Sequence, residues 1–516
     1  MKKNKTEYSK SPKRVFLYDF IVISLLAVLQ IALLLFYVWD ISASLKFIEI
    51  GFQILSVLVA VYIINKRESA TYKLAWIVPI LLFPIFGGIM YVFCQGRISI
   101  FRFKRRINDV DREILDNMPD CTDIEKDFSH NIPEYASIAH YLRGLGFPVY
   151  RNTVSRYFSS GEEMFEELKT ALDGAKEYIF IETFIVHEGY MWSTVLDILK
   201  EKAAAGVDVR MMYDGVGSLT TLPRRYYKEL EKYGIKCKVF NRFVPVISTM
   251  QNNRDHRKII SIDGKIAFTG GVNISDEYIN RIERFGHWKD AGIMVEGDAA
   301  VGYTLMFLRN WNLFIKKPEP SSKYLRAPES GRGTDGWYIP YCDSPFDSEL
   351  TARNVYLSLI HRAKKKIYIM TPYLILDEEL CSAIKLAARS GIDVRIITPH
   401  HADKKYVHLM TRSAYAELIG AGVRIYEYEP GFIHSKNILV DDECAVVGSA
   451  NFDYRSLYLH FECAQLVFSS RSLETLKKDF DDTFDISVEM SLADCRKDSG
   501  ISRIFSQLLK LFAPLL

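Results

Sequence analysis

The chain has 516 residues, 49% of them hydrophobic and 25% charged, a composition that fits more than one domain and a globular body carrying membrane segments. Its 66 basic and 63 acidic side chains leave a formal net charge of only +3, which argues against a protein that holds nucleic acid on a general basic surface. Eight cysteines without a Cys-x-x-Cys pair indicate neither a zinc ribbon nor a dense disulfide framework, and they read as reduced core residues of a cytosol-facing body.

Residues 1–108 read as a membrane anchor. Segments 20–39 and 74–94 are each apolar and long enough to span a hydrocarbon core, while 47–64 is shorter and holds Glu49 near its start. No apolar run ends in a small-residue cleavage site, so these are permanent segments of a multi-pass protein of the cell membrane. Lys2, Lys3, Lys5, Lys10, Lys13 and Arg14 draw the N-terminus to the cytoplasm, as Lys66, Arg67 and Lys73 draw the loop. Three full spans would put the body outside. Arg97, Arg102, Lys104, Arg105 and Arg106 instead suit an anionic inner leaflet, and Pro79, Pro84, Gly87 and Gly88 allow a kinked or re-entrant third segment that keeps the body cytoplasmic.

Two lobes follow, at 109–330 and 331–490, joined by the Pro-, Ser- and Gly-rich stretch 316–336. AKEYIFIETFIV at 175–186 matches AKKKIYIMTPYL at 363–374, and GVDVR at 206–210 matches GIDVR at 391–395. Each lobe reads as helix, apolar strand, helix, second strand and a hairpin. That pattern predicts an α/β protein of two pseudo-symmetric lobes, mixed sheets flanked by helices. Residues 491–516 read as an amphipathic tail too short and too polar to span a membrane. The oligomeric state is left open.

The predicted hairpin is written twice, as HRKIISIDGKIAFTGGVN at 256–273 and HSKNILVDDECAVVGSAN at 434–451. In a strand, residues two apart share a face, so His256 joins Lys258 and His434 joins Lys436. Asp263 and Asp441 fall at the turns, where structural roles are expected. Gly271 and Ser449 lie where small residues let a ligand approach the backbone, and Asn273 and Asn451 offer amide donors beside it. Asp290 and Glu462 each open a later apolar strand, and each is placed to accept a hydrogen bond from its own copy's histidine. Paired imidazoles with paired ammonium groups suit a phosphodiester: fixed charge for the nonbridging oxygens, a nucleophile, and an acid for the leaving alcohol. A metal is not expected, because a protonated lysine on the histidine face repels one.

These residues resemble the phospholipase D superfamily, whose signature is HxKxxxxD followed by GSxN, and within it the bacterial cardiolipin synthases. The likeness rests on residues 252–278, on HWKD at 287–290, and on 434–462. It implies one active site at the interface of two lobes, no metal or cofactor, and catalytic roles for His256, Lys258, Asp263, His434, Lys436 and Asp441. It also implies the joining of two phosphatidylglycerol molecules into cardiolipin with release of glycerol, in a membrane-embedded protein whose partners are anionic lipids and not nucleic acid. Family habit makes His256 the nucleophile, although the repeat leaves the two histidines nearly equivalent. A phospholipase D-type hydrolase, or a phosphatidyltransferase using another alcohol, shares the same chemistry. One departure is His460, where the family usually has Asn in a run ending Asn-Phe-Glu.

Overall fold

The computed structural model describes residues 43–66, 70–83, 91, 97–243, 251–325, 333–347, 349–496, 506 and 509. The chain divides into two compact units, one comprising Met1–Phe101, Phe243–Asn252 and Leu511–Leu516, the other Arg102–Arg242 and Asn253–Lys510.

In the first unit, helices Ala43–Ile64 and Ala70–Leu82 bury Ile63, Trp76 and Ile80 with Tyr91, and the Trp76 and Tyr91 rings meet edge to face at 5.4 Å. Phe47, Ile54 and Leu58 of the longer helix are exposed. Among the described residues no helix is long and apolar enough to cross a membrane. The expected segment 20–39 lies outside the described residues, 74–94 is described only in part, and the expected tail is described at Ser506 and Leu509 alone beyond Arg496. The multi-pass anchor is therefore not among the described elements.

The second unit holds both lobes. Strands β1 (Thr153–Phe158), β2 (Tyr178–Thr183), β3 (Asp208–Asp214), β4 (Lys236–Phe240), β5 (Ile259–Ile262), β6 (Ile266–Gly270), β7 (His287–Lys289) and β8 (Gly292–Gly297) come first. The second lobe supplies β9 (Trp337–Asp343), β10 (Lys366–Met370), β11 (Asp393–Pro399), β12 (Arg424–Tyr428), β13 (Gly431–Ile433), β14 (Asn437–Val440), β15 (Cys444–Gly448), β16 (Glu462–Phe468) and β17 (Ser487–Glu489). One sheet runs β4-β3-β2-β5-β6-β8-β1 and the other β12-β11-β10-β14-β15-β16-β9 in the same order, with β17 added outside β12. In both sheets the first three strands are parallel and the rest antiparallel, so the repeat seen in the sequence is a repeat of topology.

Local sequence explains the elements. β2 is buried along its whole length, as a central strand covered on both faces requires. The helix Glu378–Arg389 starts where the Asp377 carboxylate accepts the Leu380 N–H at 2.8 Å, and it buries Leu380, Ala383, Ile384 and Ala387, one face at helical spacing. Helix Ala300–Leu313 is apolar nearly all round and packs against both β5 and β9, which seats it between the sheets. Helices Thr122–Asn131 and Ala136–Gly144, assigned by the sequence to the first lobe, pack on the second lobe's core: Phe128 meets Phe468 edge to face at 5.0 Å. Of the seven described cysteines, Cys121, Cys237, Cys342, Cys444 and Cys463 are buried.

The repeated aspartates tie each hairpin to its sheet. Asp263 accepts the N–H groups of Lys176, Glu177 and Tyr178, each at 2.8 Å, and Asp441 accepts those of Lys364, Lys365 and Lys366 at 2.7, 2.7 and 2.9 Å. Both adopt the left-handed conformation of a tight turn, with φ of 53° and 54°. Each lies seven positions along the chain from its histidine, roughly 23 Å if fully extended. These hydrogen bonds are the structural ones expected of both aspartates at their turns. Asp263→Ala should lower stability by about 2–4 kcal/mol, because three charge-assisted bonds to backbone amides are lost, that to Tyr178 in the interior. Urea denaturation checks this; lost activity with an unshifted unfolding midpoint would contradict it.

Candidate active site

Each repeated hairpin begins on backbone supplied by the other lobe. The His256 N–H donates to the Phe461 carbonyl at 2.9 Å, and Phe461 donates to the Arg254 carbonyl at 2.8 Å. Reciprocally, β13 pairs in parallel with β7, and the His434 N–H donates to the Lys289 carbonyl at 2.7 Å. The two hairpins therefore meet at a shared seam.

The carboxylates cross that seam. His256 Nδ1 lies 2.9 and 3.0 Å from the two oxygens of Glu462, and His434 Nδ1 lies 2.7 Å from Asp290 Oδ2. The sequence reading paired each acid with the histidine of its own copy; the structure exchanges them. The reason is topological: Glu462 opens β16 and Asp290 precedes β8, the strands next to β15 and β6, and the seam turns each towards the opposite hairpin. An Nδ1–H held by a carboxylate fixes the tautomer that leaves Nε2 with a lone pair.

Lysine and histidine of each copy do share a site, and Lys258 and Lys436 each donate to the carbonyl of the histidine two residues before. Burial holds the Lys258 ammonium down to about 8 and that of Lys436 to about 7. Burial also pulls His256 well below its ordinary value, helped by Lys258, Lys436 and His434, and brings His434 to about 4, helped by Lys436. Because His256 feels both lysines and His434, the two copies form one electrostatic site. Their shifts set a direction for stability. The unfolded chain binds a proton at His434 as pH falls through 6.5, whereas the folded protein resists until about 4, so stability is full above 6.5 and declines below it. Melting temperatures between pH 7 and 4.5 should fall, and less steeply in His434→Asn; an unchanged slope in that variant would contradict the assignment.

Ser449 and Gly271, where the sequence predicts close approach of a ligand, border the two carboxylates. Ser449 Oγ donates to Glu462 and accepts the Cys463 N–H at 3.0 Å. A Cβ at Gly271 would meet Asp290 Oδ1 at 2.0 Å and the His434 carbonyl at 2.9 Å, so glycine is needed there to admit the acid. Asn273 donates one amide N–H to the Tyr278 hydroxyl at 2.7 Å and accepts the Ile185 N–H at 3.1 Å. Asn451 donates to Asp453 at 3.2 Å, while its Oδ1 is buried without a partner.

The surroundings of the two imidazoles differ. His434 is walled by Tyr278 at 5.5 Å, Trp288 at 5.2 Å and Phe432 at 6.1 Å between ring centroids, and His256 by Phe184 at 5.1 Å and His460 at 5.5 Å. Sequence reasoning gave no role to these aromatic rings, although Trp288 sits in the HWKD run and Tyr278 five residues beyond Asn273. Among the described residues, the one group of side chains able to hold a metal ion is His256, His460 and Glu462.

Chemically, the arrangement offers two imidazoles, each braced at Nδ1 by an acid, beside two lysines. That set can form and break a phosphorus–nitrogen bond and carry a proton to or from an alcohol.

Comparison with known proteins agrees with this geometry. A family described as "Cardiolipin synthase, PLD-like domain" matches residues 168–289 and 356–484, and one described as "Phospholipase_D-nuclease N-terminal" matches 54–95. An uncharacterized protein of Streptococcus mutans is 42% identical over 88% of this chain and 99% of its own. A cardiolipin synthase of Halalkalibacterium halodurans is 33% identical over 89% of this chain and 92% of its own. Among solved structures, a phosphatidylserine synthase of Haemophilus influenzae superposes with a TM-score of 0.54 at 15% identity, covering 70% of this chain and 93% of that one, which supports the fold.

Proposed function

The chain belongs to the cardiolipin synthase family of the phospholipase D superfamily, and from that premise we propose that it transfers a phosphatidyl group between two phosphatidylglycerol molecules, giving cardiolipin and glycerol. In the first half-reaction His434 starts as an imidazolium, protonated on Nε2 and braced at Nδ1 by Asp290; His256 Nε2 attacks phosphorus, the bond from phosphorus to the glycerol oxygen breaks, and the His434 Nε2 proton passes to that oxygen. In the second, the headgroup hydroxyl of another phosphatidylglycerol gives its proton to His434 and attacks phosphorus, releasing His256. Lys258 and Lys436 hold the nonbridging oxygens, whose negative charge restores the ammonium groups that burial disfavours. Glu462 and Asp290 keep the imidazoles in the working tautomer and stabilise each imidazolium.

The observation that carries this reading is the pair of carboxylate-braced imidazoles, one from each lobe, sharing a single field of two lysines. Hydrolysis would run on the same groups, so the acceptor decides. Labelled phosphatidylglycerol in mixed micelles should yield cardiolipin and glycerol in equal amounts; phosphatidic acid as the main product would mean a hydrolase.

Residues 1–108 serve in this proposal as the membrane attachment of a multi-pass protein, with the body on the cytoplasmic side among anionic lipids. Support comes from the exposed apolar side chains Phe47, Ile54 and Leu58 and from the basic run between Arg97 and Arg106.

A further inference from the structure

His460 is buried, 9% exposed, and neither of its ring nitrogens has a hydrogen-bond partner. An unpartnered imidazole in a protein interior marks a place where something else is meant to bond. It follows the π-helical turn Arg455–Leu459, a backbone widening that concentrates at functional sites, and its N–H donates to the Arg455 carbonyl at 2.9 Å. The ring stands 5.5 Å from that of His256, and its Nδ1 is 3.8 Å from Glu462 Oε1, too far for a hydrogen bond.

Two imidazoles and one carboxylate are a donor set that Zn²⁺ takes, leaving a fourth position open. With zinc to ligand distances of roughly 2.0–2.2 Å, neighbouring donors of a tetrahedral site lie about 3.3–3.4 Å apart. The present separations bracket that value: 2.9 Å from His256 Nδ1 to Glu462 Oε1, and 3.8 Å from His460 Nδ1 to the same oxygen. The donor atoms of all three residues lie within 4.8 Å of one another, so shifts of up to about 1.5 Å would close the site.

We propose that His256, His460 and Glu462 form an inhibitory site for Zn²⁺ or a cation of similar softness and size. The inhibition follows from the tautomer. Metal on His256 Nδ1 displaces the proton held by Glu462, and in the neutral ring that proton moves to Nε2. The lone pair that attacks phosphorus is then gone, and Glu462 is committed to the metal. The neighbouring cations Lys258 and Lys436 weaken the site, which makes the metal reversible rather than structural.

Metal binding is read directly and does not depend on which alcohol the protein uses. Untagged wild type, His460→Asn and His434→Asn are titrated with ZnCl₂ by calorimetry and with CoCl₂ by visible absorption. Wild type and His434→Asn should bind one more equivalent than His460→Asn and show the intense visible bands of tetrahedral cobalt, and affinity at that site should fall by at least about tenfold in His460→Asn. Zinc should inhibit the wild type and spare His460→Asn. Equal binding by all three proteins, or no tetrahedral cobalt spectrum in any of them, would overturn the proposal. If metal binds as described while no lipid product forms, the proposed transferase reading fails and the metal site stands.

Discussion

Replacing either His256 or His434 with asparagine should lower cardiolipin formation by at least about 10⁴-fold, because removing one member of a catalytic unit costs nearly as much as removing all of it. Asparagine keeps a polar side chain of similar reach that can still bond the facing carboxylate, so the buried acids Glu462 and Asp290 are not stranded and the fold should persist. The two losses should be similar in size: without His256 no phosphorus–nitrogen bond forms, and without His434 the glycerol oxygen leaves unprotonated. Combining both substitutions should add little to either. Steady-state rates with phosphatidylglycerol, alongside thermal melts, check this; substantial turnover in either single variant would remove the paired-imidazole mechanism.

The next largest effect belongs to the crossed acids. In Glu462→Gln the amide can present its NH₂ to His256 Nδ1, which forces the proton to Nε2, and kcat should fall by about 10²–10⁴-fold with little change in KM. Asp290→Asn should do the same through His434. The crossing itself is testable by double-mutant cycles. Glu462→Gln should be non-additive with His256→Asn and closer to additive with His434→Asn, and Asp290→Asn the reverse, because coupling follows contact. Coupling within each sequence copy instead would contradict the geometry.

How far the sequence foretold this can be traced residue by residue. The duplicated strands and hairpins were legible because hydrophobic alternation and a tight-turn aspartate are local signals, and the two sheets share one strand order as the repeat implied. The choice of Asp290 and Glu462 was also legible, since both open apolar strands after the hairpin. Their exchange between lobes was not, because two equivalent copies give no sign of which acid faces which ring. The partners of Asn273 were not legible either: the Tyr278 hydroxyl and the Ile185 amide come from other segments, and a motif does not state what fills its hydrogen bonds. The packing of Thr122–Asn131 on the second lobe depends on Phe128 meeting Phe468, a contact 340 positions apart along the chain that no window of sequence contains. His460 stood out by its type, but its isolation from partners is a property of the folded interior.

The central claim is a division of labour between His256 as nucleophile and His434 as proton carrier, and a donor whose leaving group needs no proton separates the two. With phosphatidyl-p-nitrophenol, wild type should turn over continuously, while His434→Asn should release a burst of about one equivalent of p-nitrophenolate and then stall with the phosphatidyl group on a peptide containing residue 256. His256→Asn should show no burst. A burst in His256→Asn, a label on a peptide containing residue 434, or stalled release in neither variant would contradict the account.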